Sequence, residues 1–247
     1  MLRKYALVTG ASRGIGAAIA RELAKELDGI FICSDQSEDE LMRTADDISA
    51  ITHLCRVIPV ICNVTDPADV KEMFEIVNQY SYDQGLDYLI NNAGISLGKT
   101  LEDTTDEDWH HMIESNLSSV FYCCRTAVPD MKRNGHGKIL NISSVWGQTG
   151  CALESAYSAT KGGVDALTRA LAKELAPSNI QVNALSLGIV GAGMNSDLTD
   201  EEKDSISRRI PSGRLASETE AAKMASAILT APDYLTGQII RMDGGLM

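Results

Sequence analysis

The feature that most constrains the fold is a glycine-rich turn between a short apolar strand and a helix. Tyr5-Ala-Leu-Val-Thr9 has the length of a buried strand, Gly10-Ala-Ser-Arg-Gly14-Ile-Gly16 follows it, and a helix is predicted over residues 15–27. Glycines allow a tight turn and a close approach of the backbone, while a helix N-terminus presents free N–H groups to an anion. Between a strand and a helix, such a turn favours a dinucleotide site over a purely structural turn. The candidate contacts are Gly10, Ser12, Arg13, Gly14, Ile15 and Gly16.

Apolar runs of strand length alternate with helical segments along the whole chain. Further strands are predicted at Ile30–Cys33, Val57–Ile61, Leu86–Ile90, in the run that ends at Ser143 and Ser144, at Ile180–Leu185 and at Gly237–Met242. Strands that alternate with helices form parallel sheets covered on both faces. We therefore predict a single α/β domain over residues 1–247, with a doubly wound, mostly parallel, seven-stranded sheet of the Rossmann type.

The connection over residues 187–213 is long, rich in glycine, serine and charges, and without strong periodicity beyond one short helix. Loops of this length in compact domains are usually functional. We predict a substrate lid there.

Ligands of parallel sheets bind beyond the carboxyl ends of the strands, so residues that directly follow strands are candidates for contact with the cofactor. Asn63 and Val64 follow the third strand, and Asn92, Ala93 and Gly94 follow the fourth. Asn63 is placed to meet an adenine, and the small residues at 93 and 94 leave room for a cofactor against the backbone. A plain Asn-Gly-type turn is the alternative for the second set.

Two residues bear on which dinucleotide would bind, and they disagree. Asp35 follows the second strand, where a carboxylate would bond a ribose 2′-hydroxyl and repel a 2′-phosphate, which favours NAD. Arg13 in the glycine turn could pair with that phosphate, which favours NADP. Asp35 has an alternative use as the N-cap of the acidic helix predicted to begin near Glu38.

Tyr157 and Lys161 are spaced so that both side chains lie on one face of a helix predicted from about Ser155. A phenol titrates near ~10 in water, and a fixed ammonium within a few ångström is expected to lower that pKa. Ser144, at the end of the preceding strand, is placed to hydrogen-bond a substrate oxygen beside the phenol. A surface tyrosine beside a solvated lysine is the alternative for such a pair taken alone.

Asn116 falls on the apolar face of a helix predicted over residues 106–131. An asparagine inside a helix is unfavourable and usually needs a specific partner. We expect Asn116 either to bond a neighbouring element or to belong to a proton path.

The composition limits the cellular compartments and the binding partners that we expect for the protein. The net charge is -12 and the pI is near 4.7, which argues against nucleic acid or an anionic membrane as the main partner. No apolar run approaches the ~18 residues of a membrane span, and we expect a cytoplasmic protein. The six cysteines show no CxxC spacing and are predicted to be reduced core thiols, so no metal site is predicted.

Taken together, these motifs resemble the short-chain dehydrogenase/reductase family. The matching residues are Thr9 to Gly16, Asn91-Asn92-Ala93-Gly94, Asn116, Ser144 and Tyr157-Ser-Ala-Thr-Lys161, in family order and over essentially the whole chain. The resemblance implies that Tyr157 is the general acid in reduction, that Lys161 lowers its pKa and holds the nicotinamide ribose, and that Ser144 polarises the carbonyl. It also implies that Asn116 orders a water in a proton relay. Cofactor contacts at Gly188 and Val190 are expected on the same ground.

Softer motifs resemble the bacterial 3-oxoacyl-acyl-carrier-protein reductases of fatty acid synthesis. They are Glu114-Ser-Asn116-Leu-Ser-Ser-Val-Phe121, Leu198-Thr-Asp-Glu-Glu-Lys, Ile210-Pro-Ser-Gly-Arg-Leu215 and Leu235-Thr-Gly-Gln. This likeness implies NAD(P)H-dependent reduction of a 3-oxoacyl thioester, with NADP(H) slightly favoured over NAD(H). The alternatives are a dehydrogenase of a small alcohol, sugar or steroid, and a dinucleotide sensor without catalysis.

The resemblance also implies partners, and the chain departs from the family pattern at two positions. It implies a homotetramer, and Lys132, Arg133, Arg169 and Lys173 are basic positions where an acidic carrier protein could dock, with ordinary solvated charge as the alternative. The family usually has Pro-Gly after the sixth strand and then a threonine that bonds the nicotinamide carboxamide. This chain has Leu187-Gly188 and then Ala192. Losing that hydroxyl would weaken cofactor binding by ~0.5 to 1.5 kcal/mol.

Overall fold

The computed structural model describes residues 3–35, 37–191, 193 and 198–247. Strands alternate with helices in the order that the sequence predicted. The strands are β1 Tyr5–Thr9, β2 Gly29–Ser34, β3 Arg56–Ile61, β4 Tyr88–Asn91, β5 Gly137–Ser144, β6 Ile180–Leu187 and β7 Ile239–Met242. The helices are α1 Gly14–Leu23, α2 Glu38–Ile51, α3 Pro67–Tyr80, α4 Asp106–Ile113, α5 Ser119–Asn134, α6 Trp146–Thr149, α7 Ser155–Leu175, α8 Asp200–Ser207 and α9 Glu218–Thr230.

The strands form one parallel sheet in the order β3-β2-β1-β4-β5-β6-β7. The order reverses direction between β1 and β4, where successive crossovers leave the sheet on opposite sides. A crevice opens at such a point beyond the carboxyl ends of the strands. The predicted doubly wound sheet is confirmed.

Successive residues of each strand pack into two separate hydrophobic cores, because side chains alternate between the faces of a sheet. Leu7, Phe31 and Leu89 contribute to a core that also contains residues of α3, α5 and α7. Val8 and Ile90 contribute to the opposite core, which contains residues of α1, α2 and α9. Burial on both faces explains why the strands are almost continuously apolar.

The helix predicted over residues 106–131 is interrupted. A π-helical turn over Glu114–Ser118 separates α4 from α5, and α5 continues to Asn134. Turns of this kind insert one extra residue and often mark functional sites. Periodicity alone did not predict the interruption, since the apolar residues on both sides keep helical spacing.

Within the part of the chain that the structure describes, no helix is both long enough and apolar enough to cross a bilayer.

Candidate active site

A cleft of about 770 Å³ opens at the carboxyl ends of the strands. It collects residues from the glycine turn, the ends of β2 to β6 and the start of α7. Every candidate cofactor residue lines it, namely Gly10, Ser12, Arg13, Gly14, Ile15, Gly16, Asp35, Asn63, Val64, Asn92, Ala93, Gly94, Tyr157, Lys161, Gly188 and Val190. Ser144 lines it as well, whereas Asn116 lies outside the lining and is completely buried.

The glycine turn is held against the end of β4. The Asn92 side-chain amide donates to the carbonyl oxygens of Thr9 at 2.9 Å and Gly10 at 3.0 Å. The Thr9 hydroxyl accepts from the backbone N–H groups of Asn92 and Ala93, both at 3.0 Å. A Cβ on Gly16 would collide with the Gly10 carbonyl oxygen and the Asn92 amide. The turn is therefore a cradle that side chains would fill, and it suits a pyrophosphate held by backbone N–H groups.

The structure after the end of β2 shows which residue caps α2, a point that the sequence left open. The N-cap of α2 is Ser37, whose hydroxyl accepts from the Glu40 backbone N–H at 3.2 Å. Asp35 is exposed and lines the cleft. The interpretation of Asp35 as the cap of this helix is wrong, because Ser37 occupies that position.

Ser144, Tyr157 and Lys161 meet at one end of the cleft. The Ser144 hydroxyl lies close enough to the Tyr157 phenol to lower its pKa. The Lys161 Nζ lies 5.6 Å from the centroid of the Tyr157 ring and donates to the Ile142 carbonyl oxygen at 2.9 Å. Tyr157 is half-buried, with its ring on the cleft wall, while Lys161 is buried. This triangle places an O–H donor, a second hydroxyl and a cation around one point.

The electrostatics of the pair differ from the sequence expectation. Burial raises the pKa of Tyr157 to about 12, the nearby Ser144 hydroxyl opposes that rise, and the charge of Glu154 adds to it. Burial lowers the pKa of Lys161 to about 8, and the charge of Asp165 opposes that fall. Lys161 is not among the groups that shift the Tyr157 pKa here, so its expected lowering of that pKa stays a prediction. A protonated phenol is a proton donor, which suits reduction.

Asn116 lies in the π-helical turn and bonds the loop after β4. Its Nδ2 donates to the Ile95 carbonyl oxygen at 2.8 Å, and its Oδ1 accepts from the Ile95 backbone N–H at 2.7 Å. The same amide lies 3.3 Å from the Thr160 hydroxyl of α7. Asn116 therefore makes the structural bond that was one of the two expectations, and it joins three elements beside the cleft.

A family model described as short chain dehydrogenase matches residues 4–203. The chain belongs to the short-chain dehydrogenase family. It is therefore an oxidoreductase that uses a nicotinamide dinucleotide, as the resemblance implied.

Individual relatives match over nearly the full length of this short-chain dehydrogenase. The 3-oxoacyl-[acyl-carrier-protein] reductase FabG of Staphylococcus aureus is 37% identical over 247 residues, which cover 99% of this chain and 98% of that protein. The reductase of the same name from Haemophilus influenzae is 36% identical over 248 residues, which cover 100% and 99%. The crystal structure of a variant actinorhodin polyketide ketoreductase with NADPH superposes with a TM-score of 0.92 at 32% identity, covering 99% of this chain and 97% of that one.

The dehydrogenase also carries a cleft residue that the sequence analysis missed. Glu154 lines the cleft, and its Oε1 accepts from the Ser96 hydroxyl at 2.5 Å. A parallel β-bridge between Lys99 and Glu154 joins the loop after β4 to the loop before α7. The position of Glu154 three residues before Tyr157 was visible in the sequence, but only the fold shows that its carboxylate faces the cleft.

The segment after β6 forms one wall of the cleft. The backbone N–H of Gly191 donates to the Ala216 carbonyl oxygen at 2.9 Å, and that of Ala216 donates to the Ile189 carbonyl oxygen at 3.0 Å. Leu187 is buried at the end of β6, and Leu198 and Ile206 also line the cleft. Ala192 lies outside the described residues. The role of 187–213 as a lid stays a prediction.

Proposed function

We propose that the protein reduces the 3-oxo group of acyl thioesters carried on an acyl carrier protein to the 3-hydroxy form, in the cytoplasm and in fatty acid synthesis. The observation that carries the proposal is the convergence of Ser144, Tyr157 and Lys161 at the end of a cleft whose other end is the glycine turn. The names of the full-length relatives support the choice of substrate. Five of the six thiols are buried in the protein, which suits a reducing compartment.

Each group in the site has a separate role in the proposed reaction. The bound nicotinamide supplies the hydride, which is chemistry that no side chain provides. The glycine turn holds the pyrophosphate through backbone N–H groups, and Ser144 donates a hydrogen bond to the substrate carbonyl oxygen. Tyr157 donates its proton to that oxygen as negative charge develops there, and a general acid of this kind is worth ~10² to 10⁴ in rate. The Lys161 ammonium, 5.6 Å from the phenol ring, stabilises the resulting phenolate.

The substrate class is tested by comparing turnover of acetoacetyl thioesters with turnover of a panel of free ketones, sugars, steroids and alcohols. We expect kcat/KM to be highest for the thioesters, and higher on a carrier protein than on a small thiol. A higher value for a free alcohol or sugar would favour the small-molecule dehydrogenase instead. Absence of nicotinamide oxidation with every carbonyl would favour the dinucleotide sensor.

For the choice of cofactor we propose NAD(H), which departs from the slight preference for NADP(H) that Arg13 and the resemblance favoured. The support is that Asp35 lines the cleft while Ser37 caps α2, so that the carboxylate is placed to meet the ribose. A carboxylate there repels a 2′-phosphate.

Titration of NADH and NADPH into the wild type and Asp35→Ala tests this choice. We expect tighter NADH binding by the wild type and a gain of at least about tenfold in NADPH affinity on substitution. Asp39→Ala, which removes an exposed carboxylate from the first turn of α2, is the matched control. A wild type that prefers NADPH and a silent Asp35→Ala would overturn the proposal.

The proposed docking of the carrier protein involves two subunits. Lys132 and Arg133 end α5, which leads to the start of β5, and Arg169 and Lys173 lie late in α7, which leads to the start of β6. All four therefore lie toward the sheet edge opposite the cleft of their own chain. We propose that they serve the cleft of a neighbouring subunit in a homotetramer.

Light scattering of the purified protein gives the mass that tests the tetramer. A double charge reversal at Lys132 and Lys173 is expected to raise KM for the carrier-bound substrate alone. An equal rise for a small thioester would contradict docking at these residues.

A further inference from the structure

A buried carboxylate lies one helical turn beyond Lys161. Asp165 is 3% exposed and belongs to α7, four residues after the lysine. The Ser143 hydroxyl of β5 and the cations Arg169 and Lys161 are close enough to lower the pKa of this carboxyl, whereas burial raises it. Its Oδ1 has no hydrogen-bond partner among the described residues.

Such a group costs stability. A buried carboxylate with an oxygen left unbonded loses solvation that its neighbours return only in part. The same position in α7 would accept an apolar side chain, since Val164 and Thr168 beside it are fully buried. A residue that costs stability and lies next to a catalytic group is a candidate for function.

The neighbours of Asp165 point to what it acts on. The Ser143 hydroxyl donates to the Lys161 carbonyl oxygen at 3.4 Å, so the serine near Asp165 also contacts the backbone of the lysine. Glycines allow α6 to pack closely here, because a Cβ on Gly147 would lie 2.7 Å from the Lys161 carbonyl carbon. The Lys161 ammonium has one hydrogen-bond acceptor among the described residues, the Ile142 carbonyl oxygen, and Asp165 is the anion that acts on it.

We propose that Asp165 is a positioning residue that acts through Lys161: its carboxylate, buried one turn away on the same helix, keeps the buried lysine side chain protonated beside Tyr157. The inference rests on the reductase activity proposed above. The groups that face Asp165 are Ser143 from β5 and Lys161 and Arg169 from α7, and those that face Lys161 are Asp165 and Tyr157. Without the carboxylate, the lysine would lose its proton at a lower pH, since burial already lowers its pKa to about 8.

The test is Asp165→Asn, which keeps the shape of the side chain and removes its charge. We expect the alkaline limb of the kcat profile to move down by about one pH unit, so that kcat at pH 7.5 falls about threefold and activity recovers at lower pH. The melting temperature should stay level or rise. Glu174→Gln, an exposed carboxylate on the same helix, is the matched control and should change neither the limb nor the melting temperature.

A substrate-free measurement separates this inference from the choice of substrate. Carbon-13 NMR of ε-labelled lysine, assigned with Lys161→Arg, reports the Lys161 titration directly, and the Asp165→Asn titration should lie below that of the wild type. Ser143→Ala is the second variant and should shift the lysine in the same direction by less. An unmoved lysine titration in either variant, or loss of activity at every pH together with a lower melting temperature, would show that Asp165 is only structural. Failure of the thioester assay alone would count against the proposed substrate and leave the lysine titration to decide.

Discussion

Asn116 bonds both backbone polar groups of Ile95, donating to its carbonyl oxygen at 2.8 Å and accepting from its N–H at 2.7 Å. A single side chain thereby satisfies the backbone N–H and carbonyl groups of one residue in the loop after β4, as a neighbouring strand would in a sheet. Ile95 lines the cleft, so the π-helical turn that carries Asn116 fixes one wall of the site. Its part in ordering a water for proton transfer stays a prediction.

Replacing Asn116 with alanine is expected to lower the free energy of unfolding by about 2 to 4 kcal/mol, because it leaves two partly buried backbone groups without these partners. Urea denaturation measures the change. Gln238→Ala, which removes an exposed amide, is the control and should stay within about 0.5 kcal/mol. If Asn116→Ala loses no more unfolding free energy than Gln238→Ala, the loop at Ile95 keeps its conformation without the Asn116 side chain.

Tyr157→Phe removes the proton donor and leaves the ring. We expect kcat to fall by about 10² to 10⁴ while the dissociation constant of the reduced cofactor changes less than about threefold. Stopped-flow turnover and fluorescence titration of the cofactor measure the two quantities. Undiminished turnover would refute the assignment of Tyr157.

Lys161→Met should separate stability from activity. The fall of the Lys161 pKa from 10.5 to about 8 corresponds to about 3 kcal/mol of destabilisation of the folded protein by the buried charge. The substitution removes that cost, but it also removes the hydrogen bond to the Ile142 carbonyl oxygen, which offsets about 1 to 2 kcal/mol of the gain. The inactive variant is therefore expected to be more stable at pH 7 by about 1 to 2 kcal/mol.

The sign of the pH dependence follows from the direction of that shift. Below pH 8 the lysine is protonated in both states and its cost is fully present; between pH 8 and 10.5 only the unfolded state keeps the proton, so wild-type stability rises with pH. The advantage of Lys161→Met should shrink over this window. Chemical denaturation at several pH values measures it, and a variant less stable than the wild type at pH 7 would contradict the buried charge.

Gly16→Ala tests the cradle by steric means alone. Its Cβ would meet the Gly10 carbonyl oxygen and the Asn92 amide, and we expect cofactor affinity to fall at least about tenfold as the turn shifts. Gly98→Ala is the matched control, since it lines the cleft with open space around it, although its φ of +58° brings some backbone strain. Equal cofactor affinities in the two variants, measured by calorimetry, would argue against backbone recognition in the turn.

Glu154→Gln is expected to lower the pKa of Tyr157 from about 12, because the carboxylate charge is one cause of its rise. Alcohol oxidation at about pH 9 should then speed up, since more of the phenol is present as the base. Absorbance titration of the phenolate near 295 nm, with Tyr157→Phe as the blank, measures the shift. Ser96→Ala keeps the Glu154 charge and should move the pKa less.

Much of the site could be predicted from the sequence, because it depends on residues that are close together along the chain. A glycine turn between a strand and a helix determines what the backbone can hold, and the spacing of Tyr157 and Lys161 determines that they share a helix face. In a parallel sheet every residue that directly follows a strand lies at the same edge, so the glycine turn, Asn92 and Ser144 could be assigned to one rim.

The sequence by itself determined the strand order along the chain, the glycine cradle and the identity of the groups around the cleft. Only the tertiary structure decided that Ser37 rather than Asp35 caps α2, that Glu154 lines the cleft, that Asp165 is buried and that burial raises the pKa of Tyr157. Each of these depends on what surrounds a side chain from other elements. Desolvation and charge act through space, and a spacing along the chain does not contain that information.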